Sequence, residues 1–296
     1  MDAQTATAEI AACFPDLRLE TAVEIPGGWD NLTLEVNGSL IFRVPHGCAN
    51  WRQLETEIKL LPRLAPALPT PIPEFKFVGH ARDGKPIVGY GKIPGTPLRF
   101  TDGAPPGGGD LARSIGEALA ALHRFPAQEA AGSGAPARTP AEWRESYRQL
   151  RSAFRGRVAP SLDAPARRAV DVLWSEFLER DDYFRFRSAL IHSDLESGHL
   201  LIAPSGGKLA GIIDWGDAAI GDPALDFAGV RDECGPAFAA LVLDAYQGNA
   251  DATLLERARF YSAIAPIYEV LLGLDTGDEG HVDRGLARLQ SRIEAG

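Results

Sequence analysis

Two neighbouring stretches, IHSDLESGHLL (191–201) and GIIDWGDAAIGDPALDFAGV (211–230), carry the reading of this chain, because polar residues stand at fixed offsets between apolar runs. Between them, HLLIA (199–203) and LAGIID (209–214) flank the turn-forming PSGGK (204–208). That pattern predicts a β-hairpin that delivers His199 and Asp214 to neighbouring places. Asp194 closes an H-S-D triplet, and Asp214 ends an apolar strand twenty residues later. An isolated aspartate is ordinarily a helix cap or a surface charge. The combined spacing points instead to joint chemistry.

Upstream, the first hundred residues read as strands. LTLEV (32–36) and SLIFRV (39–44) flank Asn37-Gly38, which readily takes the positive φ angles of a two-residue hairpin. EFKFVGH (74–80) and PIVGYGKI (86–93) are separated by a turn-forming RDG. Trp51, Leu54, Ile58, Leu61 and Leu64 recur at helical spacing, so a small antiparallel sheet with one amphipathic helix is expected. Arg43 lies on an apolar strand, where a cation needs a compensating anion. Glu57, three residues after Leu54 and four before Leu61, points inward from the helix and can pair with it.

After Pro94-Gly95 the chain turns helix-rich, with helical patterns at 110–125, at about 141–187, and in a C-terminal pair near 251–273 and 281–294. This sets an expected boundary between an N-terminal lobe, 1–94, and a C-terminal lobe, 95–296. The Pro/Gly-rich stretches 101–110 and 126–140 read as loops.

Together these residues resemble the aminoglycoside phosphotransferase family, closest in motif to the aminoglycoside 2″-phosphotransferase and macrolide phosphotransferase branches. That family has a catalytic loop H-x-D-x-x-x-x-N/H and a metal motif I-I-D-[WF]. The resemblance implies an α+β, bilobal protein-kinase-like fold with nucleotide in the cleft between the lobes. It implies transfer of the γ-phosphate of ATP or GTP, with Mg²⁺, to a hydroxyl of an aminoglycoside-like antibiotic. Asp194 would take the proton of the attacking hydroxyl, and Asp214 would supply the hard oxygen that Mg²⁺ prefers.

By the same resemblance Arg43 and Glu57 form the phosphate clamp, with a planar guanidinium where the wider kinase pattern has lysine. GGWDN (27–31), including Gly28 and Trp29, is the nucleotide flap. Ile41, Leu201 and Ile213 wall the purine, and backbone at Lys92 and Ile93 pairs with its edge. His199 replaces the usual asparagine with a nitrogen that suits Mg²⁺ less well. Metal ligand, phosphate contact and loop support therefore all stay open for it. His192 is a structural hydrogen-bonder, Asp222 with Pro223 marks a helix start, and Asp226 is structural. Asp232 and Glu233 in VRDECG, with Glu269 in PIYEVLLG, would face the amino groups of an acceptor.

Composition narrows the partners. In 296 residues, 30 Lys plus Arg against 40 Asp plus Glu leave a net charge of −10, which disfavours nucleic acid and anionic membrane. Cys13, Cys48 and Cys234 are widely spaced and signal no disulfide framework or zinc site. The N-terminus lacks a secretion-signal pattern, so a cytoplasmic protein with a small-molecule substrate and no implied protein partner is expected. Arg144, Arg148, Arg151 and Arg155 recur at helical spacing and read as an exposed basic stripe. Two competing readings remain. One is a kinase for a macrolide or metabolite. The other is a nucleotide-binding pseudokinase, prompted by Arg43 and His199.

Overall fold

The computed structural model describes residues 1–26, 31–45, 51–98 and 108–295. Five antiparallel strands, β1 (Ala22–Ile25), β2 (Asn31–Val36), β3 (Leu40–Pro45), β4 (Phe75–His80) and β5 (Pro86–Gly91), form one sheet in the order β1-β2-β3-β5-β4. The β2–β3 turn is the expected one: Asn37 and Gly38 have φ of 52° and 66°. The Asn37 amide locks this turn to the preceding segment, accepting from the Glu20 and Thr21 N–H groups and donating to the Arg18 carbonyl.

Strand alternation sorts the two faces of this sheet. Leu32, Leu34, Val36, Phe42 and Val44 form a back cluster, closed by Ala6 and Ile10 of an N-terminal helix, α1 (Ala3–Cys13). No expectation was drawn for α1, whose sequence is mostly Ala and Thr and buries only those two residues. The opposite face carries Thr33, Ile41 and Arg43, with Arg43 opposite Thr33 on one side and Val88 on the other. Helix α2 (Arg52–Leu64) covers that face, but its Leu60, Leu61 and Leu64 join the larger core of the helical part.

Beyond the hinge come β6 (Thr96–Pro97), α3 (Gly108–Arg124), α4 (Ala127–Gly132), α5 (Pro140–Ala153) and α6 (Ala164–Glu179). The region expected to be helical from 141 to 187 is thus divided, because α5 runs into a π turn and a 3₁₀ turn before Asp163 caps α6. Strands β7 (Ala189–Ile191) and β10 (Ala219–Gly221) pair, while β8 (Leu200–Ile202) and β9 (Leu209–Ile212) form the expected hairpin. Helix α7 (Ala224–Ala245) kinks at Gly235 (φ 78°), just before Pro236. The expected C-terminal pair is three helices, α8 (Leu254–Ile264), α9 (Pro266–Thr276) and α10 (Glu279–Ala295), because Pro266 lacks the N–H needed to continue α8.

Arg144, Arg148 and Arg151 of α5 and Arg155 of the π turn after it do not form a free stripe. Arg144 bonds the Leu178 carbonyl and Asp181, Arg151 bonds Ser175, and Arg155 bonds Asp171, so this face docks α5 on α6 and the turn after it. The helical spacing holds and Arg148 and Arg155 are exposed as expected, whereas Arg144 and Arg151 are largely covered. A neighbouring helix supplied acceptors that periodicity cannot reveal. Among the described residues no helix is long and apolar enough to cross a membrane.

Candidate active site

The hairpin and the loop before it bring three titratable residues together. The carboxylates of Asp194 and Asp214 both flank the His199 imidazole, with Asp194 Oδ2 3.6 Å from Nδ1 and Asp214 Oδ2 3.6 Å from Nε2. His199 Nδ1 lies 2.7 Å from the Asp194 carbonyl, and a carbonyl can only accept, so Nδ1 carries the proton and Nε2 faces Asp214. Ser193 and Asp214 hold φ of 71° and 63°, and with Asn37 they are the only positive-φ residues other than glycine among the described residues. Backbone in this region costs of order 1–3 kcal/mol per residue and persists only where surroundings over-determine it.

Helix α7 supplies that restraint. Asp226, fully buried, accepts from the backbone N–H of His192 (3.0 Å) and of Ser193 (2.9 Å). It is held in turn by His123 Nε2 at 3.0 Å, whose Nδ1 meets the Tyr246 hydroxyl at 2.8 Å. One turn along, Gly229 lets α7 touch the loop, since a Cβ there would lie 1.9 Å from the Leu195 carbonyl oxygen. Asp222 accepts from the Ala224 N–H and thus marks the helix start. Its larger role is a buried ion pair with Arg257 at 2.7 and 2.9 Å, joined by the Tyr261 hydroxyl. Sequence reasoning missed His123 and Arg257. A polar residue on an otherwise apolar helix face, as in LAALHRF, was the available signal.

His192 is buried, and burial depresses its pKa to about 4, so the ring is neutral. Its Nε2–H donates to the Ile213 carbonyl at 3.0 Å, tying the loop to the end of β9, while Nδ1 is buried without a partner.

From the sheet, Arg43 reaches across the cleft. Its Nη1 donates to both oxygens of Glu57, at 2.9 and 2.7 Å, and Nη2 lies 3.3 Å from Asp214. Burial works against the Arg43 charge, but Glu57 and Asp214 outweigh it and strengthen its hold on the proton. Burial raises the Glu57 pKa even against Arg43, yet both Glu57 oxygens accept from one guanidinium nitrogen, the geometry of a carboxylate. Gln53 makes a second bridge from α2, donating to Asp217 at 2.8 Å.

The two central carboxylates differ in proton affinity. Burial pushes Asp194 up to about 6, aided by Glu196, Asp217 and Asp214 and opposed by His199. Asp214 feels the same burial, but Arg43 and His199, with a hydrogen bond from the Gly216 backbone, outweigh it and hold it below the ordinary value. One group is poised to take a proton and the other to stay anionic. Asp214 and His199 would offer an oxygen and a nitrogen to a cation, with Glu196 3.7 Å from the same Nε2 that faces Asp214. Among the described residues no group of three or more metal-binding side chains exists, so Mg²⁺ would have to complete its oxygen shell with phosphates and water.

Of the expected purine contacts, Ile41 shares the cleft face of β3 with Arg43 and belongs to neither apolar cluster. Ile93 packs against Gly211, and Leu201 lies beside Gly95, so the hinge closes on the β8–β9 hairpin. Ile213 is half-buried and donates its N–H to the His199 carbonyl. At Lys92 the N–H donates to Ser39 at 2.8 Å and the ammonium pairs with Glu35, which leaves the backbone carbonyl to face a purine. Gly28 and Trp29 lie outside the described residues.

On the far side, Asp194, Asp214, Asp232, Glu233 and Glu269 line one cavity of about 1360 Å³. Two of the expected acceptor carboxylates are already paired. Asp232 bonds Arg292 and Ser262, and Glu269 bonds Arg284 (3.3 Å) and Arg288 (3.1 Å). All three arginines come from α10, four residues apart, a ladder the sequence reading did not pick out.

Comparison with known proteins establishes the family and the fold. Residues 21–261 match the model of the phosphotransferase enzyme family. The viomycin phosphotransferase of Streptomyces vinaceus is 26% identical over 221 residues, 74% of each chain. The GDP and kanamycin complex of the aminoglycoside phosphotransferase APH(2″)-IIIa superposes with a TM-score of 0.90 at 28% identity, covering 99% of both chains. The macrolide 2′-phosphotransferase MphH of Brachybacterium faecium gives 0.77 at 27% identity, covering 96% of this chain and 97% of that one.

Proposed function

Because this chain belongs to the phosphotransferase enzyme family, we propose that it transfers the γ-phosphate of ATP or GTP to a hydroxyl of an aminoglycoside-like antibiotic. The observation that carries this reading is the meeting of Asp194, His199 and Asp214 at one cavity wall, beneath an Arg43–Glu57 pair from the opposite lobe. The division into lobes 1–94 and 95–296 is part of the same proposal.

Asp194 accepts the proton as the acceptor hydroxyl attacks; its raised pKa suits a base that must hold that proton. Arg43, already charged and held by Glu57 on one nitrogen, would turn its second terminal nitrogen from Asp214 towards the phosphates. Asp214, with His199 beside it, would hold Mg²⁺, which would supply charge neutralisation for the transferring phosphoryl group. His199 keeps the Asp194 backbone in place through its Nδ1–H. Asp226 fixes the loop that carries both.

The second reading, a kinase acting on a macrolide-type acceptor, is favoured by one observation: Asp232 and Glu269 are already neutralised by arginines. Retention of Asp194 and Asp214 in working positions speaks against the pseudokinase. The test is phosphate transfer from ATP and from GTP, with Mg²⁺, to a panel of aminoglycosides and macrolides. Phosphorylated product that disappears in Asp194→Ala and Asp214→Ala supports the proposal; full activity in both variants sinks it.

A further inference from the structure

The acceptor end of the cavity contains a cation of the protein's own. Of the α10 ladder only Arg288 reaches the cavity wall, where its two terminal nitrogens span the expected acceptor carboxylates, 3.1 Å from Glu269 and 3.9 Å from Asp232. Arg284 and Arg292 hold those carboxylates from outside the cavity. Glu233 lines the same wall and has no ion pair among the described residues. Around them Tyr268 (54% exposed) and Leu272 (39% exposed) offer apolar surface to the same space.

We infer that Arg288 determines acceptor selectivity: its guanidinium occupies the place of an acceptor ammonium, so the cleft favours an acceptor with one basic nitrogen, met by Glu233, over a polycation. This rests on the phosphotransferase reading and deepens its second form, the macrolide-type acceptor, against the polycationic aminoglycoside. A second ammonium arriving at Glu269 meets a carboxylate whose charge is already balanced, and it meets Arg288 as a like charge. The barrier is modest rather than absolute. Arg288 is half exposed (52%), and exposed ion pairs are weak, so a polycation can displace it at a cost in affinity.

Calorimetric binding of kanamycin, a polyamine, to the full chain tests this without needing turnover. Arg288→Ala is expected to tighten binding by up to about fivefold, Arg288→Lys to leave it close to wild type, and Arg288→Ala/Glu269→Gln to lose the gain. Binding in Arg288→Ala that equals or falls below wild type, or a gain that survives Glu269→Gln, overturns the inference. Failure of the kinase reading looks different: no member of the antibiotic panel is phosphorylated, whatever residue stands at 288.

Discussion

Among the five aspartates between 194 and 226, Asp194 and Asp214 on one hand and Asp222 and Asp226 on the other have the same side chain and opposite lives. The side chains of Asp222 and Asp226 are fully buried and accept hydrogen bonds on both oxygens, from Arg257, Tyr261 and Ala224 in one case and from His123, His192 and Ser193 in the other. Asp194 and Asp214 are each half exposed to the cavity, and Asp214 itself has a positive φ while Asp194 follows a residue that does. Satisfied carboxylates stabilise the fold, and the incompletely satisfied ones are left to meet a ligand. The lesson is that burial and bonding, not residue type, separate scaffold from chemistry.

Breaking the two halves should therefore give different signatures. The largest effect is expected for Asp194→Ala, which should lower kcat by about 10²- to 10⁴-fold while the protein stays folded. Asp214→Ala should remove Mg²⁺-dependent turnover as well. Both are read by steady-state phosphate transfer. Arg257→Ala should do the reverse, costing about 3–5 kcal/mol of stability in urea titration by leaving the Asp222 charge buried alone. Asp226→Ala should cost less per group lost, of order 1–3 kcal/mol for each buried donor left unpaired, and should lower kcat with it, because His192 and Ser193 lose their anchor.

Two pH experiments sharpen the contrast further. With Asp194 raised to about 6, kcat/KM should climb as pH rises through 6 and then level off, and Asp194→Glu should shift that limb. The smallest effect is thermodynamic. A carboxyl whose folded pKa lies above its unfolded value binds more protons in the native state between the two. Stability is therefore lost as pH rises from about 4 towards 6. Asp194→Asn should accordingly melt above wild type at pH 7.5, with the difference closing near pH 4, as measured by thermal unfolding at each pH. A variant that melts below wild type at pH 7.5 would place Asp194 with the scaffold.

How much of this was legible follows the same division. The hairpin at Asn37-Gly38, the hairpin delivering His199 and Asp214, and the Arg43–Glu57 pair could be read because each depends on local spacing: a turn dipeptide, a strand alternation, a helix face. His123 holding Asp226 across 103 residues and Arg257 holding Asp222 across 35 leave no such pattern. The expected pairing of the Lys92 backbone with a purine narrows to its carbonyl, because Ser39 at the sheet edge takes its N–H, a neighbour that periodicity does not name.

By itself the sequence determined the kinds of groups and their order: which strands alternate, where the chain must turn, and which acidic residues follow apolar strands. Only the tertiary structure decided which of those charges are spent. Coulomb attraction and desolvation depend on distance and burial, not on separation along the chain. Hence Asp232 and Glu269, read as ready for an acceptor, turn out to be met by arginines of the last helix, while Asp194 remains open to the cavity.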